Sequence, residues 1–148
     1  MHGLAIAIVG LVLASSAMAA PSTDAVAVVE AFHSALAEGD TKAAAALLAD
    51  DALIFEEGGA ERSKAEYAAH HLRADAAFSQ VVNSATIRRS GNSRGDTAWV
   101  ASEGRMTGIF KGKPIDRLTT ETMVLRHSPE GWKIVHIHWS SAAARAAD

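Results

Sequence analysis

Apolar residues recur at helical spacing from Asp24 to Glu38, where Ala25, Val28, Val29, Phe32 and Leu36 make one stripe and Gly39 follows as a stop. Asp40 is placed to cap a short alanine-rich helix, Thr41 to Leu48, which Asp50 and Asp51 break. A strand is expected over Ala52 to Glu57, ended by Gly58-Gly59. Ser63-Lys64-Ala65-Glu66 reads as a capping box and opens a third helix of three to four turns, ending near Phe78. From there the pattern turns strand-like: Val81 to Arg89, Thr97 to Phe110, Pro114 to Arg126 and Trp132 to Ser140. Turn formers fill Ser90 to Asp96, Lys111 to Lys113 and Ser128 to Gly131. Three helices, one early strand and a four-stranded meander make an α+β layout. The alanine-rich end, Ser141 to Asp148, is expected to fray.

The first 19 residues are expected to lie outside this domain. Leu4 to Leu13 is an unbroken apolar and glycine run, and Ala17-Met18-Ala19 supplies an A-x-A cleavage site. The run is shorter than the ~20 residues a membrane span needs. The expectation is a secretory signal cut after Ala19, giving a periplasmic or secreted chain with no membrane contact after cleavage. Roughly 128 residues then remain, enough for one core. A net charge of −3 with no basic cluster argues against nucleic acid. The absence of cysteine from the sequence excludes a disulfide scaffold, a Zn–Cys site and a thiol nucleophile. No phosphate loop, nucleophile elbow or dinucleotide fingerprint is present, and no cofactor is expected.

The C-terminal third carries recognisable text: Glu121-Thr122-Met123-Val124-Leu125-Arg126, then Gly131-Trp132-Lys133-Ile134-Val135-His136-Ile137-His138-Trp139-Ser140. It resembles the last two strands of the nuclear-transport-factor-2-like superfamily, most closely SnoaL-like bacterial proteins and the association domain of calcium/calmodulin-dependent kinases. Phe32 to Leu48 resembles that family's first helical hairpin, and Ile54-Phe55-Glu56 its first strand, so the likeness covers Asp24 to Ser140. It implies a cone: a curved antiparallel sheet wrapped round three N-terminal helices, with a pocket at the wide end and dimerisation through the sheet. Members include ketosteroid isomerase, scytalone dehydratase, limonene epoxide hydrolase, polyketide cyclases and proteins that only bind, so fold alone does not set the chemistry. The Asp-Arg-Asp set of the epoxide hydrolases and the oxyanion tyrosine of ketosteroid isomerase have no recognisable counterparts.

Three constellations carry candidate chemistry. A three-residue turn centred on Gly112 would set Glu103 opposite Glu121, Ala101 beside Met123 and Trp99 beside Leu125. Positions matching Ala101, Met123 and Trp139 line the pocket in the kinase association domain, which favours that face as the inner one. Two facing carboxylates repel, so one would be pushed toward protonation and the pair could serve as general acid and base. Otherwise both glutamates sit at a solvated rim beside Arg105 or Arg117. On the third helix, Tyr67, His71 and Phe78 share a face, so Tyr67 and His71 would donate and accept protons in the interior. The expected catalytic candidates are therefore Glu103, Glu121, His71 and Tyr67, with Glu56, Trp99, Met123, Leu125 and Trp139 as ligand-binding positions. His136 and His138 leave one face of a strand about 7 Å apart, a spacing that suits a divalent metal with His71 or a glutamate as a third ligand. Because Val135, Ile137 and Trp139 are the better interior set, the two histidines are placed on the outer face, at a dimer interface; the Ser128 to Gly131 turn does not fix the register, and a one-residue slip would exchange the two faces. The expected function is binding of a small, mostly apolar organic molecule, with acid–base turnover of the isomerase, dehydratase or cyclase kind. The alternatives are a non-catalytic dimeric assembly module and divalent metal binding.

Overall fold

The computed structural model describes residues 23–144. Four helices, α1 (Thr23–Glu38), α2 (Thr41–Ala46), α3 (Lys64–His70) and α4 (Leu72–Ser79), fill the concave side of one curved, open sheet. The strands are β1 (Leu48–Glu56), β2 (Gly59–Glu61), β3 (Val82–Arg94), β4 (Thr97–Phe110), β5 (Lys113–Ser128) and β6 (Gly131–Ala143). Their spatial order is β2-β1-β6-β5-β4-β3. Every neighbour is antiparallel except β1 and β6, whose parallel pairing runs through Leu53↔His136 to Glu56↔Trp139. No helix among the described residues is long and apolar enough to cross a membrane. The signal segment expected over residues 1–19 and the last four residues of the expected tail lie outside the described residues.

Local chemistry accounts for the helices. α1 buries Ala25, Val29, Phe32, Ala35 and Leu36, one stripe at helical spacing. Asp40 accepts a hydrogen bond from the Ala43 amide at 2.8 Å and starts α2. Ser63 Oγ accepts from the Glu66 amide at 3.0 Å, while Glu66 reaches one residue further back than a capping box requires and accepts from the Arg62 amide at 2.7 Å. The expected third helix is two helices. His71, at φ −104°, ends α3 and caps α4, so the axis turns between Tyr67 and Asp75.

The strands run longer than their sequence pattern indicates. β1 starts at Leu48, because Asp50 and Asp51 project from it into ion pairs with Lys64 and Arg126 instead of ending the element. β3 continues to Arg94, paired with β4 throughout, and the turn shrinks to Gly95-Asp96. Ser141 to Ala143 extend β6 against Leu118 and its neighbours, so part of the expected tail is strand. β2 is an addition: Glu57-Gly58 turns the chain back to cover β1.

Successive rows across the inner face show where the core stops. Val100, Met123, Ile137 and Ile54 stand directly opposite one another on β4, β5, β6 and β1, and all are fully buried. Two residues further along each strand, the row reads Ser102, Glu121, Trp139 and Glu56, with Arg89 of β3 opposite Ser102. The next row is Thr86, Gly104, Thr119 and Ser141. The inner face thus passes from apolar to polar within one step of the pleat. That boundary positions the site.

Candidate functional site

A cavity of about 730 Å³ opens over the two polar rows, in the size range of small-molecule sites. Its floor is the row Glu56, Trp139, Glu121, Ser102 and Arg89, and its roof comes from α1 through Glu30, His33 and Ser34 and from α4 through Asp75 and Phe78.

At the centre of the floor Glu121 is nine-tenths buried and bonded twice through one oxygen. His33 Nε2 lies 2.8 Å from its Oε2, and Trp139 Nε1 donates to the same atom at 2.7 Å. Burial by itself would raise this carboxyl, but His33 and the indole N–H outweigh it and hold the group below its ordinary value. Trp139 is fixed in turn by stacking on Phe32, with ring centroids 6.2 Å apart.

At the β1 end the electrostatics reverse. Burial, reinforced by Asp75, Glu57 and Glu61, pushes the Glu56 carboxyl up to about 7, although His71 pulls it the other way. Asp75 is likewise raised by burial, while the Tyr67 hydroxyl, donating to its Oδ2 at 2.7 Å, draws it back. Burial and Asp75 push the Tyr67 phenol upward, so it stays protonated and serves as the donor. Behind them Glu61, buried on β2, pairs with His71 at the α3–α4 corner, and this hydrogen bond raises the imidazole. At the β3 end Arg89 Nη1 reaches Glu30 at 2.6 Å and its Nε donates to Ser102 Oγ at 3.3 Å.

The expected carboxylate pair is not formed. The β4–β5 turn has two residues, Lys111-Gly112, and Phe110 pairs with Lys113. Every partner therefore shifts by one: Glu103 stands opposite Thr120, and Glu121 opposite Ser102. Adjacent residues on a strand face opposite ways, so the side chain of Glu103 is turned to the other face from Glu121 and is exposed. The expected rim partners are engaged elsewhere, Arg105 with Asp116 and Arg117 with Ser141. The same shift sets Val100 beside Met123 and Ala98 beside Leu125, and turns Trp99 outward. Met123 and Leu125 are sealed in the core and do not reach the cavity, whereas Glu56 and Trp139 line it. Tyr67 is fully buried behind Asp75 and reaches the cavity through that acid, whereas His71 is half-exposed and paired with Glu61, and neither of these two lines the cavity.

His136 and His138 lie on the outer face around Phe55, their ring centroids 6.5 Å apart, with His136 Nδ1 donating to the Leu53 carbonyl at 2.8 Å. His71 is on the inner side with Glu61 and does not join them. Among the described residues, no group of three or more His, Asp or Glu is arranged to hold a metal ion.

Four site residues escape a reading of the sequence: His33, Asp75, Glu61 and Arg89. His33 follows Val29 by four positions, and Asp75 follows His71 by four, so helical spacing carried a signal for both. The irregularity between Thr86 and Arg88 shifts the alternation of β3 and hides Arg89, and β2 is too short to show a period for Glu61.

Residues 25–144 match the model of the SnoaL-like domain. A protein of Shewanella frigidimarina, described as a candidate ketosteroid isomerase, has a similar structure (TM-score 0.77) and 39% sequence identity, over 80% of this chain and 96% of that one. A candidate dehydratase of the NTF2-like family from Streptomyces avermitilis gives a TM-score of 0.67 at 22% identity, over 82% of this chain and 95% of that one. The CaMKII hub of S. rosetta gives 0.67 at 21%, over 84% and 98%. The last two establish likeness of fold alone. Among curated proteins nothing matches the sequence.

Proposed function

We propose that this chain, which belongs to the SnoaL-like domain family, binds a small organic molecule in its cone and moves a proton on it with Glu56. The observation that carries the reading is the position of Glu56: it lines the cavity floor beside Trp139, and burial brings its carboxyl to about 7. A group that titrates near the working pH is present in both protonation states, as a general acid–base catalyst must be. In an isomerisation, the carboxylate takes a proton from carbon next to a ligand carbonyl, the electron pair moves onto the oxygen as an enolate, and the same carboxyl returns the proton to another carbon. Nothing else enters or leaves. The relative described as a candidate ketosteroid isomerase supports the reaction class.

The test is conversion of β,γ-unsaturated ketones, from a single ring to a steroid, to conjugated enones followed by ultraviolet absorbance. Wild type should accelerate the reaction, Glu56→Gln should lose about 10²- to 10⁴-fold, and Glu103→Gln should retain full rate. A Glu56→Gln variant as fast as wild type refutes the assignment.

We also propose a homodimer through the outer face of the sheet, an arrangement that would serve an assembly module equally well. That face carries Trp99 and Phe55 partly exposed, with His136 and His138 beside Phe55, and an apolar aromatic surface of this kind is stabilised when covered. Export rests on the sequence of residues 1–19. Mass spectrometry of the secreted chain should find Ala20 as its first residue, and a chain retaining Met1 in the cytoplasm refutes export.

A further inference from the structure

The two hydrogen bonds that hold Glu121 fall on one atom. His33 and Trp139 both reach Oε2, and no hydrogen bond among the described residues reaches Oε1. The side chain is only 10% exposed. Yet no buried side-chain oxygen or nitrogen among the described residues lacks a partner, so Oε1 is not sealed in protein and opens into the cavity it lines. A carboxylate oxygen accepts hydrogen bonds and does not donate them while ionised, and here the neighbours keep it ionised. It cannot swing away to satisfy itself, because the indole stacked on Phe32 anchors the other oxygen.

We propose that Glu121 Oε1 is a fixed acceptor for an O–H donor, which makes the cavity selective for an uncharged, hydroxylated small molecule. This deepens the small-molecule reading given above and rests on it. The rest of the lining agrees. Glu30, Glu56, Glu57 and Asp75 also border the cavity, and its single arginine, Arg89, is already paired with Glu30, so an anionic ligand meets repulsion. Trp139, between Glu121 and Glu56 in the floor row, offers apolar surface for the ligand's body. A hydroxyl at Glu121 would place the reacting part of the molecule two strands away, at Glu56, about 10 Å along the row by inter-strand spacing.

Three probes of one shape separate the cases: 2-naphthol, 2-methoxynaphthalene and 2-naphthoate, titrated at neutral pH while following the Trp139 indole N–H by NMR, assigned with Trp139→Phe. Naphthol should bind wild type at least about tenfold more tightly than the methyl ether, as expected for a hydrogen bond to a charged group. In Glu121→Leu the two should bind alike. The comparison within wild type needs no variant, so a Glu121→Leu chain that fails to fold leaves it decisive. Equal affinities in wild type, no naphthol binding below millimolar, tighter binding of naphthoate, or a preference that survives in folded Glu121→Leu each overturn the proposal. If ketone conversion fails while naphthol selectivity holds, the cavity binds without turnover and the acceptor role stands. If conversion holds while selectivity fails, only the acceptor role falls.

Discussion

Replacing Glu56 by Gln should make the protein more stable at neutral pH, and the gain should disappear in acid. In the folded chain this carboxyl keeps its proton up to about 7, whereas the unfolded chain releases it near 4.5. Between those values the folded state binds more protons than the unfolded state, so stability falls as pH rises. The penalty is absent below the unfolded value and complete above the folded one. At full strength a rise from 4.5 to about 7 corresponds to about 3 kcal/mol. Glu56 is only half-buried, however, and water at the cavity mouth screens it, which reduces the expectation to about 1–2 kcal/mol. Urea denaturation of wild type and variant at several pH values from about 4 to 8.5 measures this directly. Asp75 and His71 titrate in both proteins, so only the difference between the two curves is diagnostic. Parallel curves across that range would mean that Glu56 ionises as an ordinary surface carboxyl, and its role as a proton carrier at neutral pH would fall with that result.

Glu121→Gln should act in the opposite sense. Its carboxyl is depressed, so its contribution is present above the ordinary glutamate value and is lost as pH falls through the folded one. The variant should be less stable by about 1–3 kcal/mol at neutral pH, as for hydrogen bonds to a charged group, and should converge with wild type in acid; no loss at neutral pH refutes the His33–Glu121–Trp139 arrangement. Tyr67→Phe removes the hydroxyl that bonds Asp75. It should cost about 1–2 kcal/mol and raise the Asp75 carboxyl further, read by carboxyl-carbon NMR; an unmoved Asp75 contradicts the contact. Light scattering on the chain from Ala20 should give about 26 kDa, twice the mean-residue-mass value, and Trp99→Glu with Phe55→Glu should halve it. A wild-type monomer removes the sheet-face dimer.

Much of the architecture is written in local signals that do not depend on distant partners. The α1 stripe, the Asp40 and Ser63 caps and the bounds of β4 are read from residues within a few positions of one another, and the structure agrees with them. The likeness at Glu121 to Ser140 supplied the cone. What the sequence concealed depends on contacts made elsewhere. Asp50 and Asp51 look like helix breakers until Lys64 and Arg126 arrive to pair with them inside a strand. His71 looks like a mid-helix residue on the Tyr67 stripe, but the chain turns there and Asp75 takes the position beside Tyr67. In the site, Glu56, Glu121 and Trp139 were legible as residues, but their roles were not. The difference in ionisation between Glu56 and Glu121 comes from which side chains surround each of them, and His33, Asp75 and Glu61 are brought there by elements far apart in sequence.

The largest discrepancy turns on one residue of one turn. A three-residue β4–β5 connection would bring two glutamates face to face; the two-residue connection separates them and gives Glu121 to His33 and Trp139. A two-residue hairpin turn of type I′ needs positive φ at both central positions, and Lys111 at +50° and Gly112 at +75° provide it. A Cβ added at Gly112 would meet nothing within 4 Å, so a substitution there changes backbone strain and little else. Gly112→Ala should therefore cost about 1 kcal/mol, the strain of an L-residue held in the left-handed region. Gly112→Asn should cost less, because asparagine enters that region more readily. Thermal unfolding of the three proteins ranks them: glycine, then asparagine, then alanine. If alanine is as stable as glycine, position 112 is not held at positive φ and the two-residue turn is wrong. The register would then be open to the one-residue slip that exchanges the faces of Glu103 and Glu121, and with it the composition of the cavity floor.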